Sequence, residues 1–123
     1  MPEGGSRPII IAGAIDLSDP ASRDQVLERT AALQRATREE EPGCLAYCFA
    51  ADPVVDGRIQ VHELWADEAS LAAHFHHRYY QEMRAALRAS GIERADNRKY
   101  RVDLTEPVYD PTGTPRADFF SAS

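Results

Sequence analysis

The side chains best equipped for acid–base chemistry crowd into one run, Arg58 to Arg84, which reads RIQVHELWADEASLAAHFHHRYYQEMR. Glu63 and Trp65 are two apart, so on a strand they share a face. A carboxylate among apolar neighbours must be paired or protonated, and burial that raises its pKa would fit it for general-base work. His74 follows on a helix, one turn beyond Leu71. Should it face Glu63, the two form a base with an orienting partner, the arrangement that removes a proton from a phenol. The plainer alternative bonds Glu63 to a helix residue and packs His74 in the interior. Trp65 offers a wall on which an aromatic ring would stack. His62, His76 and His77 complete no metal site: adjacent helical residues diverge by about 100°, His62 points away from Glu63, and no His-x-x-x-His spacing occurs. Glycine-rich phosphate loops and dinucleotide fingerprints are missing as well, so the expectation is no metal and no cofactor.

Positioning those groups takes a strand ending at Trp65 and a helix starting at Asp67, where Asp67 is an N-cap and Glu68 suits the helix dipole. That third strand, Arg58 to Trp65, follows a second one, Cys44 to Ala51, across an Asp56-Gly57 hairpin signal. Ahead of both, Ile9 to Leu17 is rich in β-branched residues and predicts a first strand. Asp19-Pro20 opens a helix with Val26, Thr30 and Leu33 as its apolar stripe, ending near Glu40 before Pro42-Gly43. The helix after Asp67 carries Leu71, Phe75, Tyr79, Met83 and Leu87, with a break suggested at His76-His77-Arg78 and an end at Ser90-Gly91. Asn97 to Leu104 alternates as a last strand. The order β-α-β-β-α-β predicts an α+β, ferredoxin-like unit over residues 1–104, mobile at 1–7, and an extended tail over 105–123 that docks on a partner subunit through Phe119 and Phe120.

Alternation groups Leu45, Tyr47 and Phe49 on one face of the second strand, and Cys44, Ala46, Cys48 and Ala50 on the other. Two cysteines on one strand face, about 13 Å apart at the strand rise, are free thiols. Helices cover one sheet face of such a unit. The expectation is that Tyr47, Phe49, Val61 and Trp65 lie on the bare one, which would be too apolar for a monomer. A two-fold homodimer closing its sheets over that surface would enclose a ligand space.

At 123 residues, with 43% hydrophobic and 28% charged residues, the chain has room for a single core. Twenty acidic against fourteen Lys plus Arg residues give −6, the wrong sign for a general nucleic-acid binder. No apolar run is long enough for a membrane span, and MPEGGSRP has no signal-peptide character, so a cytoplasmic protein is expected.

Three stretches at this spacing, Glu41-Pro42-Gly43-Cys44-Leu45, Glu63-Leu64-Trp65 and Asp67-Glu68-Ala69-Ser70-Leu71-Ala72-Ala73-His74, give the chain a resemblance to the antibiotic biosynthesis monooxygenase family from about Ile9 to Leu104. The resemblance implies a dimeric α+β barrel and cofactor-free, quinone-forming oxygenation. By position, Trp65 resembles the family's barrel-facing Trp and Arg84 its helical Arg, a group able to stabilise oxyanion charge. The family's strand Asn, strand Tyr and helical Tyr fall at Val61, Phe49 and Leu71, which are apolar here. Haem-degrading relatives place an Asn on the first strand, and Ile9 to Leu17 has none. The implied activity is therefore cofactor-independent oxidation of a hydroquinone or phenolic polyketide-like aromatic by O2, with Glu63, His74 and Arg84 as catalytic residues. Trp65, Phe49, Tyr47, Val61 and Leu71 would line the substrate. Two further readings stay open: a non-catalytic aromatic-binding barrel, and proton transfer on a small carbonyl compound.

Overall fold

Four strands and three helices account for the chain from Ile9 to Arg101 in a computed structural model that describes residues 7–121. They are β1 (Ile9–Leu17), α1 (Arg23–Glu40), β2 (Cys44–Ala51), β3 (Arg58–Trp65), α2 (Glu68–Phe75), α3 (Arg78–Ala89) and β4 (Ile92–Arg101). The strands form one sheet in the order β2-β3-β1-β4, antiparallel throughout. This is the α+β, ferredoxin-like arrangement of a split βαβ unit. The expected mobile terminus falls on residues 1–6, outside the described residues.

Local chemistry explains most boundaries. Asp19 accepts a hydrogen bond from Ala21 N and opens a single 3-10 turn at Pro20–Ser22, so α1 proper starts three residues later than Pro20 suggests. Asp67 Oδ1 caps α2 by accepting from Ser70 N at 2.8 Å. The suspected break is real: α2 ends at Phe75, and His77 caps α3 by accepting from Tyr79 N at 3.1 Å. β4 begins five residues before the predicted Asn97 and stops at Arg101; its sequence is polar and each of its residues is exposed, so hydrophobic alternation does not mark its bounds.

The core sits between the sheet and the helices. Ile15, Leu17, Ile59 and Val61 meet Val26 of α1 and Met83 and Leu87 of α3, while Ile9, Tyr47 and Trp65 meet Leu71 of α2. The expectation about the bare face is thereby corrected: Tyr47, Phe49, Val61 and Trp65 lie under the helices. Alternation tells which residues share a side but not which side the helices take. The register puts Ile10, Ala12, Ala14, Ala46, Cys48, His62 and Leu64 on the outward face instead. A register shift between Cys44 and Ala46 corrects a second expectation. Leu45 bulges out, 60% exposed, and Cys44 turns inward opposite Trp65, so the two free thiols occupy opposite faces.

Helix α1 also closes the outer edge of β2. The Gln34 side chain donates to Phe49 O (3.2 Å) and accepts from Phe49 N (2.9 Å), standing in for a neighbouring strand, and Arg38 Nε donates to Tyr47 O at 2.6 Å. These bonds fix the two aromatic residues of β2 that reach the site. Beyond β4 the tail is not shapeless: Tyr109 bridges Pro115, Asp110 accepts from Thr112 N and Thr114 N, and Glu106 accepts from Phe120 N and Ser121 N. The result is a small self-tied hairpin that leaves Val108, Tyr109 and Phe119 exposed. Among the described residues no helix is long and apolar enough to cross a membrane.

Candidate active site

Where α1 gives way to β2, Glu41 caps the helix, its own N–H donating to Thr37 O at 3.2 Å. The backbone reverses through Pro42 and Gly43, whose φ of +83° suits glycine and whose carbonyl accepts from Ala66 N at 2.8 Å. A Cβ at Gly43 would collide with Ser70 of α2. This tight junction lets the end of α1 reach α2 and turns the Glu41 side chain inward, 4% exposed.

There it meets His74, 1% exposed, with Nδ1 2.8 Å from Glu41 Oε1. A carboxylate accepts, so Nδ1 carries the ring proton and Nε2 keeps its lone pair. Burial is the main cause lowering the His74 pKa, opposed by the bond to Glu41, and the ring is therefore held neutral. Nε2 has no hydrogen-bond partner among the described residues, and the ring lines the cavity under the helices. Trp65 and Tyr80 flank it, with ring centroids at 4.5 and 5.4 Å. Glu41 Oε2 is buried without a hydrogen-bond partner among the described residues. His77 Nδ1 is 4.0 Å away and already accepts from Tyr79 N.

Glu63 faces the same space but not His74. It accepts from Trp65 Nε1 at 2.9 Å, and burial lifts its pKa to about 7, the Trp65 bond opposing and Glu41 adding repulsion. The anticipated Glu63–His74 pair is thus replaced by Glu41–His74, with Glu63 as a second proton-carrying group. Burial likewise raises Tyr47 far above its ordinary value, and pushes the Cys44 thiol up to about 11, which leaves it un-ionised and unreactive.

The cavity itself measures about 710 Å³, within the range of small-ligand clefts, and lies between the sheet and α2–α3 of the single chain rather than between two sheets. Of the expected residues, Glu63, His74, Tyr47, Phe49 and Arg84 line it. Trp65 does not: fully buried, it packs behind His74 and serves Glu63 as a donor. Val61 is in the core, and Leu71 borders a neighbouring cleft with Phe75. His62 lies on the outward face opposite Cys48. Sequence reasoning missed Glu41 and Tyr80. The signal for Glu41 was a carboxylate at a helix C-terminus, where the dipole disfavours negative charge, followed at once by Pro-Gly.

Together these observations define a small α+β protein with a largely apolar cavity and a carboxylate-oriented, neutral histidine in its wall. The family's sequence profile, described as antibiotic biosynthesis monooxygenase, matches residues 8–86, and the chain belongs to that family. Solved structures agree in fold. A candidate antibiotic biosynthesis monooxygenase from Caulobacter crescentus superposes with a TM-score of 0.71 at 22% identity, over 82% of this chain and 92% of that one. A second, from Deinococcus radiodurans, gives 0.68 at 20% identity, over 83% and 99%. A conserved protein from Methanosarcina mazei gives 0.68 at 19% identity, over 80% and 95%. None of the curated proteins matches the chain in sequence.

Proposed function

We propose that this protein is a cofactor-independent monooxygenase that oxidises a phenolic or hydroquinone-like aromatic with O2 in the cavity beneath its helices. Family membership supports monooxygenase chemistry. The observation that carries the finer reading is the buried Glu41–His74 pair, which leaves an unoccupied Nε2 lone pair at the cavity wall. His74 Nε2 takes the phenolic proton, and Glu41 stabilises the imidazolium that results. The phenolate passes one electron to O2, and the two radicals combine at the ring carbon para to the oxygen. Loss of that carbon's proton, with cleavage of the O–O bond, leaves a quinone carbonyl and releases the other oxygen atom as water. Glu63, poised near neutral pH, gives its proton to the departing oxygen. Tyr47, Phe49 and Tyr80 hold the ring and keep water out. Arg84 at the mouth faces developing oxyanion charge.

The working unit in this reading is a homodimer formed through the outward sheet face, where Ile10, Ala12, Ala14 and Leu64 are half-buried in a single subunit. The test is turnover of 1,5-dihydroxynaphthalene under ¹⁸O2. One labelled atom should enter the quinone and one should leave as water. H74A should cut the rate by about 10²–10⁴, the usual worth of a general base. E41Q should cut it less and without loss of fold. Equal rates with and without O2 would point to proton transfer instead, and unchanged rates in H74A would remove the proposed base.

A further inference from the structure

The cavity's open side, between α3 and β4, is edged by Arg84, Arg88, Arg98 and Lys99. In a chain of net charge −6 this is an unexpected place for four cations. Among the described residues Arg84, Arg88 and Lys99 pair with no carboxylate, whereas Arg98 is bound to Asp96 and nearby Arg78 to Glu82. Arg84 and Arg88 stand four apart on one helix face, where like charges repel and cost some helix stability. Among the described residues Glu63 is the one acidic side chain lining the cavity, and it is buried deep among aromatic rings. The charge pattern is therefore graded: an apolar, proton-exchanging floor and a cationic rim in which, among the described residues, Arg84, Arg88 and Lys99 have no paired counter-charge.

We propose that the substrate is an aromatic carboxylate, its ring held against Tyr47, Phe49 and His74 and its ionised carboxylate held at the mouth by Arg84, Arg88 and Lys99. Guanidinium forks match a carboxylate in two-point hydrogen bonds, and Lys99 approaches from the opposite strand as a point charge. Anchoring the charged end at the rim leaves the far, neutral edge of the ring to meet His74. It also draws anionic ligands toward an otherwise acidic molecule. This inference rests on the cavity being the substrate site, as in the reading above, but not on what reaction follows.

The test compares two probes that differ only in the carboxylate, 1-hydroxy-2-naphthoate and 1-naphthol, by calorimetry on the full chain. The carboxylate should bind at least about tenfold more tightly at low salt, the worth of one good charge-assisted contact. That preference should shrink in 0.5 M KCl, and fall to about threefold or less in R84A/R88A/K99A. All three side chains are solvent-facing or at the rim, and an unchanged melting temperature would verify that the variant is folded. Equal affinities in the unaltered protein, or a preference that survives in the triple variant, would overturn the proposal even if 1,5-dihydroxynaphthalene is oxygenated. Selective carboxylate binding without any oxygen uptake would sustain it while the oxygenase reading fails.

Discussion

Replacing Glu63 by Gln should stabilise this protein at alkaline pH and do little at acid pH. Glu63 is 6% exposed, and among the described residues Trp65 Nε1–H is the one donor it receives. Burial raises its pKa from an ordinary 4.5 to about 7, so the folded state holds a proton that the unfolded chain has already released across that window. For a raised carboxyl the sign is opposite to that of a salt-bridged one. Its contribution is fully present below pH 4.5 and is lost as pH climbs through 7. At about 1.4 kcal/mol per tenfold change, the loss amounts to about 3 kcal/mol. Gln is the same size, never ionises and still offers an oxygen to Trp65. The stability difference between E63Q and the unaltered protein should therefore widen by about 3 kcal/mol between pH 4.5 and 8.5. Other titrating groups contribute equally to both proteins and cancel. Urea denaturation at the two pH values measures it, with Trp65, the single tryptophan of the chain, as the fluorescent reporter. Parallel stability curves, with the same difference at both pH values, would mean that Glu63 ionises freely and that the cavity floor is wet.

Gln34→Ala should cost about 1–3 kcal/mol in urea denaturation, because it strands the N–H and C=O of Phe49 together; a loss under about 0.5 kcal/mol would show that water takes its place. Deleting the chain from Glu106 onward should lower both dimer affinity and melting temperature, if the exposed Val108, Tyr109 and Phe119 of the hairpin seat on a second subunit. Light scattering and thermal melts that match the full chain would refute that role. Ile10→Asp, on the outward sheet face, should leave a folded monomer in light scattering; a dimer of unchanged affinity would place the interface elsewhere.

The element order, the Asp67 cap and the helix break were legible because each depends on residues within a turn of one another. Alternation grouped Tyr47 with Phe49 and Glu63 with Trp65, whereas Arg84 was singled out only by the family resemblance; the cavity is lined by Tyr47, Phe49, Glu63, His74 and Arg84. Three things were not. Which sheet face the helices cover depends on the hand of the whole unit and not on any single strand, so the cavity was expected on the wrong side. The Leu45 bulge turns Cys44 to the opposite face from Cys48, and no local signal marks it. Glu41 meets His74 across more than thirty positions of chain, through a junction that only the packed helices create. The tail hairpin escaped notice for a related reason: Asp110 and Glu106 hold it by side-chain-to-backbone bonds, which leave no hydrophobic rhythm.

By occupying both hydrogen-bonding groups of Phe49, with Arg38 on the Tyr47 carbonyl, helix α1 caps the middle of the β2 edge against an incoming backbone. Strand-upon-strand addition is obstructed on that side. The freer edge is β4, whose charged sequence, Ile92-Glu93-Arg94-Ala95-Asp96-Asn97-Arg98-Lys99-Tyr100-Arg101, discourages all but a partner of matching pattern.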